Sequence, residues 1–333
     1  MGASHIDKML STSSDCRMWV DDPGGFSTRK VGRLHHDYHR HPLLQLPELE
    51  ALAKELAPLK QCRFVRPGLT QASAFAHDSV PPDGRSIEDV FRRIEEPGSW
   101  IALYDVEVIP RYKALLEHVL ANVRDIIERE QHGMFQVTGF IFISAPPSVT
   151  PFHIDRENNF WLQLHGRKTL SVWDPRDRET VSADAVEDFI VDRSLRKVRL
   201  REECRARGHH FDSGPGDGVY FPSTSPHMAN VDTDWVSPGN GITASIGITF
   251  YTRDTRRVAR IHQVNRILRH KLHAEPSYPG VSATADAIKA PLGRLIGPTR
   301  YFLINCLRAA RAIKTGVRPA EGWLGEKAPP GSF

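Results

Sequence analysis

Two segments carry most of the chemistry in this 333-residue chain: Thr150-Pro-Phe-His-Ile-Asp155 and Pro226-His227. His153 and Asp155 form an H-x-D, and on a strand side chains at i and i+2 share a face. One imidazole and one carboxylate can therefore converge on a point. His227, 72 positions beyond Asp155, can supply a third ligand. Two histidines and one carboxylate on one side of a metal leave other coordination positions open, which suits Fe(II) centres that activate oxygen. Such a site keeps a charge of about +1 and is ready for an anionic cosubstrate. That anion needs a cation, and Lys168 stands 13 positions after Asp155 on the next predicted strand. Its neighbours Leu164, Arg167, Thr169 and Leu170 do not show whether it points inward or to solvent. H-x-D alone is also a common polar pair in loops. The turn and strand Pro215-Gly-Asp-Gly-Val-Tyr-Phe-Pro222, returning across a sheet ahead of His227, lift the metal reading above that one.

The elements that must position these residues are short and punctuated. Pro47 to Leu56 reads as a helix with Pro in its first turn, Ser86-Ile-Glu-Asp89 as a capping box opening a helix to Glu95, and Pro110 to about Arg129 as a longer helix. Trp100 to Val106 reads as a strand. From Phe135 the period shortens: Phe140–Ile143, Phe152–Leu164, Lys168–Trp173 and Gly241–Tyr251 read as strands between Gly and Pro stops, and Pro215–Pro222 as a turn, strand and stop. Many short strands of this kind predict a sandwich or barrel of jelly-roll type. Residues 1–40 read as irregular, with His35, His36, His39 and His41 in a surface loop. Arg253 to His273 holds seven Lys/Arg against Asp254 alone, with Val258, Ile261, Val264, Leu268 and Leu272 near helical spacing. It reads as an amphipathic helix with a solvated basic face, the alternative being a surface for an acidic partner. Phe302, Leu303, Cys306, Leu307 and Ile313 form a further stripe, and residues 316–333 read as a tail.

Composition narrows the class. Hydrophobic residues make up 40% and charged residues 25%, ordinary for a globular protein. No run of 18 apolar residues argues for a membrane span, and the first residues lack the basic start and apolar stretch of a signal peptide. Cys16, Cys62, Cys204 and Cys306 are scattered without a C-x-x-C, which argues against a zinc knuckle or disulfide framework and fits a reducing cytoplasm. A net charge of +4 does not by itself argue for a nucleic-acid partner.

The run Thr150-Pro-Phe-His-Ile-Asp-Arg-Glu-Asn-Asn-Phe-Trp-Leu-Gln-Leu-His-Gly-Arg-Lys168 resembles the core of the JmjC/cupin-like Fe(II)/2-oxoglutarate-dependent oxygenases. It is especially similar to the asparaginyl hydroxylases that act on hypoxia-inducible factor. Pro215–Pro222 through His227 resembles that family's second metal-binding segment, and Gly241–Gly247 its last core strand. The likeness covers about residues 137–252, with a vaguer one from Trp100. It implies a double-stranded β-helix core over 100–256 with a helical insert, a mixed N-terminal region with helices over 1–99, and a C-terminal helical region and tail over 257–333.

The resemblance also implies roles. His153, Asp155 and His227 would bind Fe(II) as the catalytic centre. Lys168 would pair with the distal carboxylate of 2-oxoglutarate, and Thr150 would hydrogen-bond it. Asn159 would face the metal-proximal carboxylate, and Tyr104 would correspond to the family's cosubstrate-binding tyrosine. O2 is the second cosubstrate. Gln163 also matches. Where the family carries an Asn in the last strand, this chain has Gly247, with Ser245 nearby, so how the proximal carboxylate is held stays open. H-x-D in place of H-x-E favours hydroxylases over demethylases. A homodimer through C-terminal helices is a further implication. The expected reaction is hydroxylation of a C–H bond in a peptide, an amino-acid derivative or a small molecule. The alternatives are a non-catalytic cupin-type ligand sensor and a metal-dependent cupin of other chemistry.

Overall fold

The computed structural model describes residues 15–64, 79–81, 84–231 and 241–296. These residues fall into two compact units, one drawn from Met1–Val181 and Val198–Thr252 and the other from Ser182–Lys197 and Arg253–Phe333.

In the first unit the elements run β1 (Met18–Trp19), β2 (Gly32–His36), α1 (Leu46–Leu56), β3 (Cys62–Phe64), α2 (Ile87–Arg92), β4 (Trp100–Leu103), α3 (Pro110–Ala121), α4 (Arg124–Glu130), β5 (Phe135–Ser144), β6 (Ser148–His153), β7 (Asn158–His165) and β8 (Lys168–Val172). They continue with β9 (His209–Ser213), β10 (Asp217–Phe221), β11 (His227–Val231) and β12 (Thr243–Tyr251). The larger sheet has the order β1-β2-β10-β7-β12-β5-β4-β3 and the smaller β6-β11-β8-β9. Pairing is antiparallel throughout. From β5 on, the strands alternate between the sheets except at β8 and β9, which pair within the smaller one, and this is the winding of a double-stranded β-helix.

Alternation within β12 shows how the two faces are used. Ile246, Ile248 and Phe250 lie in the same apolar cluster as Leu49, Leu52, Tyr112, Leu116 and Leu120 of α1 and α3. The intervening Ser245, Gly247 and Thr249 stand opposite Gln163, Trp161 and Asn159 of β7, on the other face. All nine residues of β12 are buried, so both faces are covered, yet only one is uniformly apolar.

Several elements differ from the sequence reading. The segment Phe152–Leu164 is two strands on different sheets, because the chain leaves the smaller sheet after His153 and crosses to the larger at Asn158. The helix expected from Pro110 to Arg129 breaks at Asn122–Val123 into α3 and α4. The N-terminal histidines are not in a surface loop. His35 and His36 belong to β2, which pairs with β10, and His36 and His41 are buried at 2% and 0% exposure. The pattern was hidden because β2 is short and mostly polar and its partner β10 lies far along the chain.

In the second unit, α5 (Ala183–Asp192) packs with α6 (Arg253–Leu272). Arg266 reaches Asp188 at 2.9 Å and also pairs with Asp192; Arg269 reaches the buried Glu187 at 3.0 Å. These arginines on the basic face of α6 therefore meet an acidic face within the same unit, not solvent alone. Residues 283–296 are helical and expose Ile288, Leu292 and Leu295. The predicted stripe from Phe302 to Ile313 lies outside the described residues.

Candidate metal centre

His227 pairs directly with His153 across β11 and β6, and their ring centroids are 4.0 Å apart. In an antiparallel ladder, opposed residues project to the same side, so the register alone brings the two imidazoles together. Each ring is oriented by its own backbone. His153 Nδ1 lies 2.7 Å from the Pro151 carbonyl and His227 Nδ1 3.0 Å from the Ser225 carbonyl. A carbonyl only accepts, so these contacts hold the proton on Nδ1 and leave both Nε2 atoms as bases. Both Nε2 atoms face one carboxylate oxygen: Asp155 Oδ2 lies 4.0 Å from His153 and 3.4 Å from His227. One ligand atom from each of the three lies within 4.8 Å of the others, a spacing that one metal ion can bridge. His227 is 6% exposed, and burial together with His153 lowers its pKa to about 4, so it is neutral, the form that binds a metal.

Asp155 reaches this point differently from the sequence expectation. It lies beyond the end of β6, so a shared strand face does not hold it beside His153. The loop 154–157 is instead fastened to the segment that delivers His227. Thr224 N donates to the Asp155 carbonyl at 2.8 Å, and Ser223 Oγ donates to the Arg156 carbonyl at 2.6 Å. Ser223 N donates to Asn158 Oδ1 at 3.0 Å. Sequence reading passed over Asn158, Ser223 and Thr224. For Ser223 and Thr224 the one signal is a Ser-Thr-Ser-Pro run between a strand and a ligand histidine.

Lys168 opens β8 after a turn at Gly166, whose φ of +62° and the Ile242 carbonyl 2.3 Å from a would-be Cβ require glycine. The lysine is 4% exposed and reaches from the smaller sheet to Ser245 Oγ on β12, at 3.2 Å. Among the described residues no carboxylate pairs with it, and burial lowers its pKa to about 8. Ser245 is fully buried. Asn159 is 6% exposed, and its Oδ1 has no hydrogen-bond partner among the described residues. A Cβ on Gly247 would sit 3.3 Å from that oxygen, so the missing side chain leaves room beside the amide. Gln163 is taken up locally, its amide donating to the His165 carbonyl at 2.6 Å and to Thr243 Oγ1 at 2.7 Å. Thr150 is half-buried on β6, opposite Ala229. Tyr104 lies just past β4 with its ring against Phe140 and Phe142; burial, reinforced by the Asp155 carboxylate, raises its pKa.

A second group, Asp184, Asp188 and His270, also has ligand atoms within bridging distance. Lys197 lies 2.7 Å from Asp188, and Arg266 meets the same carboxylate, so cations of the chain already neutralise the cluster.

No protein-family model matches the chain, and no curated protein matches it significantly. Among solved structures it is similar to YcfD, a ribosomal oxygenase from Escherichia coli, with 15% identity, covering 73% of this chain and 57% of that one at a TM-score of 0.33. The E. coli oxygenase in complex with cobalt and succinic acid gives 14% identity, 73% and 57% coverage and a TM-score of 0.36. SnoK, a non-heme alpha-ketoglutarate-dependent carbocyclase from nogalamycin biosynthesis, gives 13% identity, 66% and 79% coverage and a TM-score of 0.39. The chain spans less than two thirds of the length of the E. coli oxygenase structures, and likeness at these values carries no argument about function.

Proposed function

We propose that the protein is an Fe(II)- and 2-oxoglutarate-dependent oxygenase that hydroxylates a C–H bond of a peptide, amino-acid-derived or small-molecule substrate. One observation carries this reading: a single barrel interior holds both a His/Asp/His ligand group and a buried lysine with no carboxylate beside it among the described residues. A buried ammonium is costly unless paired, so its environment is built for an anion that arrives with a ligand. A hydrolytic metal site of the same ligands would have no use for that lysine.

The donor set fits a divalent ion with open positions: two Nε2 bases and one carboxylate, each imidazole held from behind by a carbonyl. When bound, iron with O2 and 2-oxoglutarate supplies an oxidant able to break an unactivated C–H bond, releasing succinate and CO2. The chain's own part is to bind, orient and exclude water. Lys168 holds the distal carboxylate of 2-oxoglutarate, with the Ser245 hydroxyl beside it and Thr150 and Tyr104 as further donors. Asn159 offers its amide to the metal-proximal end of the cosubstrate. Trp161, Phe221 and Phe140 are apolar neighbours on that face of the larger sheet, where water would quench the reaction.

Within the family that the sequence resembles, H-x-D favours hydroxylation, as in asparaginyl hydroxylases, over demethylation. The sensor alternative drew on the basic helix, and Arg266 and Arg269 of that helix are paired within their own unit. A homodimer through the C-terminal helices is our proposal for assembly. The exposed Ile288, Leu292 and Leu295, at i, i+4 and i+7, support it. Sedimentation as a monomer at micromolar concentration would end it.

The deciding experiment loads the purified protein with Fe(II) and 2-oxoglutarate in air and measures succinate. Mass spectrometry of candidate substrates then looks for the gain of one oxygen that depends on 2-oxoglutarate. Binding of neither iron nor 2-oxoglutarate would remove the reading.

A further inference from the structure

Asp155 is the one ligand of the three that no strand holds, and what holds it is a buried polar network the reaction itself does not use. Asn158, 1% exposed, is its keystone. Its Oδ1 accepts from Ser223 N at 3.0 Å, and its Nδ2 donates to Gln131 Oε1 at 3.0 Å. Gln131 in turn accepts from Thr252 Oγ1 at 3.0 Å and donates to the Thr28 carbonyl at 2.7 Å. Gln131, Thr252 and Thr28 are all buried. The segment this network grips is strained. Thr224 has φ +64°, a conformation a β-branched residue rarely adopts without compensation. That backbone turn is what lets Thr224 N reach the Asp155 carbonyl at 2.8 Å while Ser223 Oγ reaches the Arg156 carbonyl at 2.6 Å.

We propose that Asn158, through Ser223 and Thr224, is a positioning residue that sets the separation between the Asp155 carboxylate and His227 Nε2, and so the affinity and geometry of the metal site. The inference rests on the metal reading above. A satisfied buried network has one low-energy arrangement, and groups that orient metal ligands from behind commonly account for about 10–100-fold in metal affinity.

The test titrates the metal-free full chain with Co(II) and follows both affinity and the visible d–d spectrum, which reports coordination geometry. Asn158→Ala leaves Ser223 N without its acceptor and is expected to weaken Co(II) about 10–100-fold with an altered spectrum. Thr252→Val breaks the far end of the same network at nearly constant volume. It is expected to lower thermal stability while leaving the Co(II) affinity within about threefold of wild type. If Asn158→Ala does not fold, Ser223→Ala, which removes only the hydroxyl contact to Arg156, is expected to weaken Co(II), with Ser223→Thr restoring it. Unchanged Co(II) affinity and spectrum in Asn158→Ala, or in Ser223→Ala where it stands in, would overturn the inference. So would equal weakening in Thr252→Val, because the effect would then track stability alone. A wild-type protein that takes up no Co(II) would instead overturn the metal reading, and this inference with it.

Discussion

At the scale of the residue, the proposal depends on groups whose environments are unlike those of ordinary surface side chains. Replacing His153 or His227 by Ala removes one of three ligands with none in reserve. Each variant is expected to lose succinate production, with metal uptake measured alongside to show that binding is the cause. Lys168→Met keeps the length of the side chain and removes its charge. The loss of a charge-assisted contact, about 1.5–3 kcal/mol, should weaken 2-oxoglutarate about 10–150-fold while iron binding stays near wild type. Equal cosubstrate affinity in the two proteins would show that the ammonium serves something else. The same lysine predicts a pH dependence. Burial lowers its pKa to about 8, so its charge is present below that value and lost above it. In wild type, 2-oxoglutarate affinity should fall as pH rises through about 8, and in Lys168→Met that dependence should vanish. His153, His227 and Lys168 stood out in the sequence through their order along the chain and the family resemblance, since H-x-D by itself is a common pair. Whether Lys168 points inward was not, because its neighbours alternate without a clear apolar face.

At the scale of the element, the core strands could be read from their punctuation, but their membership of sheets could not. His153 and Asp155 look like one strand face; in the fold the chain changes sheets between them, and the carboxylate is brought in by loop hydrogen bonds. No local pattern marks that crossing, since Phe152, Ile154, Phe160 and Leu162 read as a continuous buried run. The basic helix shows a similar limit. Its charges suggested solvent or a partner, and the answer lay in α5, more than 60 positions upstream. That pairing carries its own prediction. Glu187 is fully buried, and Arg269 meets both of its oxygens, at 3.0 and 3.3 Å. Breaking such a pair from one side strands a buried charge and costs about 3–5 kcal/mol. Arg269→Ala is therefore expected to destabilise the unit containing α5 and α6 at neutral pH. Adding Glu187→Gln should recover part of the loss, which denaturation monitored within that unit would detect. A single variant as stable as wild type would show that water already compensates the carboxylate.

At the scale of the whole molecule, the N-terminal histidines change from apparent ornament to a determinant of acid stability. His36 and His41 are buried, and burial lowers the pKa of each from 6.5 to about 4. His36 ends β2 and His41 lies five positions on; β2 pairs with β10, the strand that leads into the Ser223–His227 segment. Above pH 6.5 the folded and unfolded chains both carry these rings neutral, and their contribution to stability is complete. Between 6.5 and about 4 the unfolded chain binds protons that the folded chain does not. Stability then falls by about 1.4 kcal/mol per pH unit for each ring. The apo protein is therefore expected to lose thermal stability steeply over that window, before most carboxylates titrate. His36→Gln with His41→Gln should flatten the slope whatever it does to stability at pH 7. His227 adds a third ring of the same kind, because burial holds it neutral down to about pH 4 in the folded chain. Loading the protein with Co(II) should raise stability across the window without flattening the slope, because the folded rings are neutral there with or without the metal. An acid transition that is unchanged in the double variant would assign the loss to other groups and remove these two rings from the account.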